Sequence, residues 1–154
     1  MSRQAARIAQ TEAVSTFDAL GRVLAEDVVS PIDVPPQDNS SMDGYALRAA
    51  DVPAPGAVLA VSQRIAAGYV GAALAARTAA RIFTGAQVPP GADAVVMQEQ
   101  CERVGDDAVR IDAVPQPGQW VRRRGEDVRS GATVLARGLR MTPKAQGLAA
   151  TVGA

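Results

Sequence analysis

"PPQDNSSMDGYALRA", Pro35–Ala49, is the stretch on which the reading of the fold turns. Two consecutive prolines cannot donate to a β-ladder, so regular structure is expected to stop at Pro35 and Pro36. Asp38, Asn39, Ser40 and Ser41 then supply turn-forming hydrogen bonds, and Gly44 offers a backbone angle that other residues resist. Two readings stand side by side: an ordinary Asx-rich turn, or a loop that presents Asp43 at the mouth of a site. A second break falls at Gly125-Glu126-Asp127. Together the two breaks predict a central block inserted between the two arms of a discontinuous domain.

Outward from that stretch, the chain alternates short β-rich runs with Gly/Pro punctuation. On the N-terminal side, residues 3–10 suggest a short leading helix with little apolar stripe. Ser15 or Thr16 can cap a short helix ended by Gly21, and "RVLAEDVV" reads as a strand closed by Pro31. On the other side, "GAVLAVSQRI" reads as a β-rich run, Arg81–Thr84 and Ala94–Met97 as strands, and "GDDAVRIDAV" as a hairpin turn with a strand. Beyond Gly118 the pattern is extended segments broken at Gly125, Gly131 and Gly138. Thr142 followed by Pro143 marks a helix start. The class expected is α+β with strand dominant. The chain ends on apolar residues, which predicts further protein beyond Ala154 and hence a gene fragment.

Composition narrows the chemistry. The 154 residues are 47% hydrophobic and 21% charged with zero formal net charge, which suits a soluble globular protein and gives no general pull toward nucleic acid or anionic lipid. Aromatics make up 3%, so the core must be built of aliphatic side chains and a stacking platform for single-stranded nucleic acid is disfavoured. The absence of histidine removes the usual general base, the commonest zinc ligand and the histidine-dependent nucleophile pairs. What remains is carboxylates, hydroxyls, arginines, backbone amides and a hard metal such as Mg²⁺. Cys101 stands alone, so no internal disulfide forms and a reducing cytoplasm is the simplest compartment. No run approaches the ~20 apolar residues of a membrane span.

Three spots carry candidate chemistry. In "DNSSMDGYA" the candidate is Asp43. In "RIFTGAQVPPGAD" a strand delivers Thr84 onto a glycine turn, where Gly85 and the small Ala86 let backbone amides approach an anion; a plain hairpin loop explains the same residues. The loop lacks the lysine of a P-loop and the spacing of a dinucleotide fingerprint. In "VRRRGEDVRSG", Arg122, Arg123 and Arg124 face Glu126 and Asp127. Alternation on a strand lets at most two of these arginines address one anion, and a solvated edge strand is the competing explanation. Asp127 is a metal ligand or a salt-bridge partner.

Taken in order, "SPIDVPPQDNSSMDGYALRAADV", "RIFTGAQVPPGADAVVMQE" and "PGQWVRRRGEDVRSGATVLARGLRMTPKAQGLAATVG" closely resemble the N-terminal portion of the molybdopterin molybdenumtransferase family, MoeA in bacteria and the E domain of gephyrin in animals. The resemblance implies an elongated, discontinuous, mostly-β domain at about 1–33 plus 128–154, an inserted α/β domain at about 34–127, and the absence of the family's molybdopterin-binding and β-barrel domains. It implies a cytoplasmic transferase of molybdenum cofactor biosynthesis, inserting molybdenum from molybdate into adenylylated molybdopterin with AMP release and Mg²⁺ assistance. It further implies a homodimer whose cleft lies between subunits, and a fragment inactive alone.

Carried over position by position, the resemblance marks Asp43, Thr84 and Asp127 as catalytic. As hard carboxylates, Asp43 and Asp127 are the expected Mg²⁺ ligands, and Ser41, Gly85 and Arg123 are the expected substrate contacts. A non-enzymatic dimerisation or scaffold module of gephyrin type is the alternative. The sequence departs from the family at Gln37, where an aromatic is common, at Ser41, usually Ala, and at Arg77, usually Gly.

Overall fold

The structure, a computed structural model, describes residues 10–154. The leading helix expected over 3–10 lies outside the described residues but for Gln10. Ten strands and one α-helix follow in order: β1 (Val28–Val29), β2 (Asn39–Ser40), β3 (Gly44–Leu47), β4 (Ala57–Ile65), β5 (Thr78–Ile82), β6 (Ala94–Met97), β7 (Cys101–Val104), β8 (Ala108–Ile111), β9 (Val121–Arg122), β10 (Thr133–Leu135) and α1 (Pro143–Thr151). Two compact units result, Asp33–Asp127 and the pair formed by the chain up to Ile32 with Val128–Ala154.

In the Asp33–Asp127 unit a six-stranded sheet runs in the order β6-β3-β5-β4-β8-β7. All its pairings are antiparallel except β4 with β5. That parallel pair needs a crossover, and the chain makes it through residues 66–77 without a helix. Strand alternation sorts the aliphatic residues onto both faces. Tyr45, Leu47, Ala79, Ala94, Val96, Val109 and Ile111 build one core, and Ala46, Ala80, Ile82, Val95 and Ile65 the other. A register shift in β4 between Val61 and Gln63 changes the parity of that strand. Beyond it Ile65 faces Ile82 in the second core, while Arg64 comes beside Arg81 on the first face.

The helical content of this unit is two three-residue 3₁₀ turns, Ala49–Asp51 and Gln98–Gln100. The strand-dominated class therefore holds. The α/β character expected of the insert is not found in its described residues: most segments linking its strands are short and interrupted by Gly or Pro, and the longer 66–77 crossover is broken by Gly68 and Gly71.

The other unit packs Ala19, Leu135 and Met141 against Ala145 and Ala149 of α1. The last two are buried on one face because they are four apart on a helix. Helix α1 begins as its sequence dictates: Thr142 Oγ1 accepts from the Ala145 N–H at 3.3 Å, and Pro143 occupies the first turn. The helix expected near Ser15 is shorter, a 3₁₀ turn at Thr16–Asp18 capped by Ser15. The strand expected in "RVLAEDVV" shrinks to β1 plus a bridge from Val23 to Arg140.

Candidate functional site

The Met-Asp-Gly-Tyr segment leads into β3, the strand flanked by β5 and β6. Gly44 is required there for a different reason than backbone freedom. A Cβ at this position would sit 1.9 Å from the Val96 carbonyl oxygen, so only a residue without a side chain lets β3 and β6 approach. The turn before it is fixed by Ser40, which is buried: its Oγ donates to the Met42 carbonyl at 2.6 Å and accepts from the Met42 N–H at 3.2 Å. The Asp43 carbonyl accepts from the Gln98 N–H at 3.0 Å. The Asp43 carbonyl is thereby held, and the turn that precedes it is fixed.

Strand β5 ends at Ile82, and the chain turns at Gly85, whose φ of +79° suits glycine. Thr84 then aims two donors at one atom. Its N–H and its Oγ1–H each reach Asp43 Oδ1 at 2.8 Å, joining residues 41 apart in sequence. These bonds favour the ionised carboxylate. The Thr84 N–H, the Thr84 hydroxyl and the positive charge of Arg81 together hold Asp43 below the usual carboxylate range, against a smaller opposing effect of burial.

An amide cradle for an external anion is not what this loop provides. The Thr84 N–H goes to Asp43, the Gly85 N–H to Ser40 O at 2.8 Å, and the Ala86 N–H to Phe83 O at 2.9 Å. The anion that the loop embraces is the protein's own carboxylate, so Thr84 offers a ligand its oxygen lone pairs rather than its proton. Both donors converge on Oδ1, and among the described residues Oδ2 accepts no hydrogen bond.

The remaining expected residues lie around β2. Asn39 and Ser40 pair with Arg122 and Val121 of β9 on one side, and Asn39 bridges to Gln87 on the other. The Ser41 N–H donates to Trp120 O at 3.0 Å. β2 thus links the Thr84–Gly85 turn with the arginine segment. Asp127 touches neither Asp43 nor Thr84: its carboxylate forms an ion pair with Arg122 and its N–H donates to Val34 O at 2.9 Å.

Arg123 is likewise committed, its Nη1 lying 2.7 Å from Asp38 Oδ2. Burial raises the Asp38 carboxyl, but the Arg124 N–H, the hydrogen bond from Arg123 and the Arg123 charge outweigh it and leave that group lowered.

Composition alone did not mark Arg81, which ties the site together. Its Nη1 donates to Gly44 O at 2.8 Å and Ile82 O at 3.1 Å, and its Nη2 to Gln98 Oε1 at 2.6 Å. The guanidinium lies 4.4 Å from the Phe83 ring centroid and 5.4 Å from that of Tyr45. The available signal was a charged residue inside the apolar strand "TAARI".

As a donor set for a divalent cation, Asp43 fits: a hard carboxylate oxygen stays open, and Mg²⁺ commonly takes one or two carboxylates with substrate phosphates completing the shell. Asp127 fits only if its Arg122 partner gives way. Among the described residues no group of three or more His, Cys, Asp or Glu is placed to hold a metal. No helix among them is long and apolar enough to cross a membrane.

A fold of short strands bearing an acidic loop latched to a Thr-Gly turn defines a class that the comparisons identify. The family described as MoeA N-terminal region (domain I and II) matches residues 1–153, and the chain belongs to it. A molybdopterin molybdenumtransferase of Haemophilus influenzae is 40% identical over 144 residues, which are 94% of this chain and 36% of that protein. Molybdopterin molybdenumtransferase 2 of Mycobacterium tuberculosis is 46% identical over 91% of this chain and 36% of its own length. The crystal structure of a molybdopterin biosynthesis MoeA protein from Pyrococcus horikoshii OT3 superposes with a TM-score of 0.86 at 38% identity, covering 95% of this chain and 40% of that one. The chain spans little more than a third of the length of these relatives.

Proposed function

We propose that this chain is the N-terminal, two-domain portion of a molybdenum insertase, a transferase of molybdenum cofactor biosynthesis. In the whole protein it would act on molybdate and adenylylated molybdopterin with release of AMP. The domain limits proposed are about 1–33 with 128–154, and 34–127. The observation that carries the reading is the double hydrogen bond from Thr84 to Asp43 Oδ1, which joins two of the motifs shared with the family into one site.

In this reading Asp43 is the working carboxylate and is ionised throughout the neutral range. Thr84 fixes its orientation, which leaves Oδ2 directed to a ligand. Arg81 sets the local field, and Ser41 and Gly85 line the approach along β2. Arg123 and Asp127 join the site from the arginine segment, Asp127 exchanging its Arg122 partner for a cation. Magnesium bound at Asp43 would neutralise phosphate oxygens as the anhydride is cleaved. The rest of the cleft would come from domains beyond this chain and from a second subunit of a cytoplasmic homodimer.

The test has two arms. The 154-residue chain mixed with adenylylated molybdopterin, molybdate and Mg²⁺ should release no AMP. Joined to the missing domains it should turn over, and Asp43→Asn should then lower the rate by about 10- to 100-fold, the range for losing a group that orients or ligates at a metal site. Turnover by the short chain, or an unaffected Asp43→Asn, would refute the proposal.

A further inference from the structure

The arginines of the Asp33–Asp127 unit fall into two sets. Arg48, Arg110, Arg122, Arg123 and Arg124 each have a carboxylate within ion-pair distance. Arg64, Arg77, Arg81 and Arg103 have none among the described residues. Three of those four line one groove of about 560 Å³ on the sheet face that also carries Tyr45 and Phe83. The volume lies in the range of small-molecule sites.

The groove is built rather than incidental. The β4 register shift brings Arg64 beside Arg81, and the Arg64 guanidinium stands 4.8 Å from the Phe83 centroid, so one ring steadies two cations. Arg103 arrives from β7 opposite Val109 of β8. Arg81 has its donors turned to carbonyls and to Gln98, whereas the guanidinium groups of Arg64 and Arg103 make no hydrogen bond among the described residues. Planar guanidinium forks left unspent in a groove match tetrahedral oxyanions. Asp106 and Asp107, in the β7–β8 turn, line the same groove, have no ion-pair partners among the described residues and present acceptors only.

We infer that this groove is a binding site for a phosphate-bearing ligand, with the oxyanion held by Arg64 and Arg103. Asp106 and Asp107 take hydrogen-bond donors such as the hydroxyls of a sugar. It is a site separate in composition from the Asp43–Thr84 pair, although Arg81 borders both.

The experiment is a calorimetric or NMR titration of the full 154-residue chain at low ionic strength with inorganic phosphate and, separately, ribose 5-phosphate. Saturable binding of either is expected, weakened about tenfold or more by Arg103→Gln, the scale of one lost charge-assisted hydrogen bond. Arg77→Gln, an unpaired arginine outside the groove, should change nothing. Tighter binding of ribose 5-phosphate, abolished as a difference by Asp106→Asn with Asp107→Asn, assigns the source as a sugar phosphate. Equal binding assigns it as the free oxyanion. Arg64→Gln alone provides an independent check if Arg103→Gln fails to fold. No saturable binding, or equal weakening by Arg77→Gln, overturns the site. The readout is binding to this chain, so failure here leaves the insertase proposal standing.

Discussion

Asp43 and Asp127 are both exposed to the same family expectation, yet the molecule treats them differently. Asp43 is gripped by neutral donors from Thr84, with its carbonyl held by the Gln98 N–H, and among the described residues its second oxygen accepts no hydrogen bond. Asp127 lies at the end of its unit and spends its carboxylate on Arg122, in an ion pair both of whose side chains are exposed. Neutral donors fix a carboxylate while leaving its charge to act on a ligand. A guanidinium cancels that charge, and an exposed pair of this kind adds little to stability. The difference leaves Asp43 oriented with one oxygen open and Asp127 already paired with Arg122.

The comparison can be broken most forcefully at Gly44. Replacing it with alanine drives a Cβ into the Val96 carbonyl, and the overlap should destabilise the chain by about 3 kcal/mol, seen as a lowered urea midpoint. A midpoint unchanged from wild type would show that β3 and β6 do not need that close approach. A second, smaller change lies at a site that belongs to neither loop. Arg77 has a φ of +59°, a region costly to residues with a Cβ, so Arg77→Gly should raise stability by about 0.5–1 kcal/mol after the extra freedom of glycine in the unfolded chain is subtracted. The smallest effect is expected at the other acid: Arg122→Gln should leave the urea midpoint unmoved, while Asp127 becomes available to a cation. A clear loss of stability would make the pair structural and remove Asp127 from the site.

What the sequence made legible was local. The Thr142–Pro143 helix start, the strand at Ala94–Met97 and the turn before β8 all follow from residues a few positions apart. Gly44 stood out, but for a conformational reason, whereas its actual constraint is a neighbour 52 positions away in Val96. The register shift in β4 was not legible because "AVLAV" is apolar at every position and offers no alternation whose change of phase could be read. Arg81 escaped because its role depends on Gly44, Gln98 and two rings brought together only by the sheet. Arg77 carries the reverse lesson: noted only as a departure where the resemblance expects glycine, it adopts the left-handed backbone that glycine favours. Cys101, partly buried in β7, has its thiol pushed up to about 12 by burial and by Asp112, against the opposing charge of Arg81.

The most direct measurement is an NMR-detected titration of the Asp43 carboxyl in the wild type and in Thr84→Val. Because its folded value is lowered, the contribution of this group to stability is complete above the ordinary carboxylate range and is lost as pH falls through the depressed folded value. The wild type should titrate below the usual aspartate range, and Thr84→Val, stripped of one of the two donors, should titrate higher. An Asp43 that titrates at the ordinary value in both proteins would contradict the latch between the two loops.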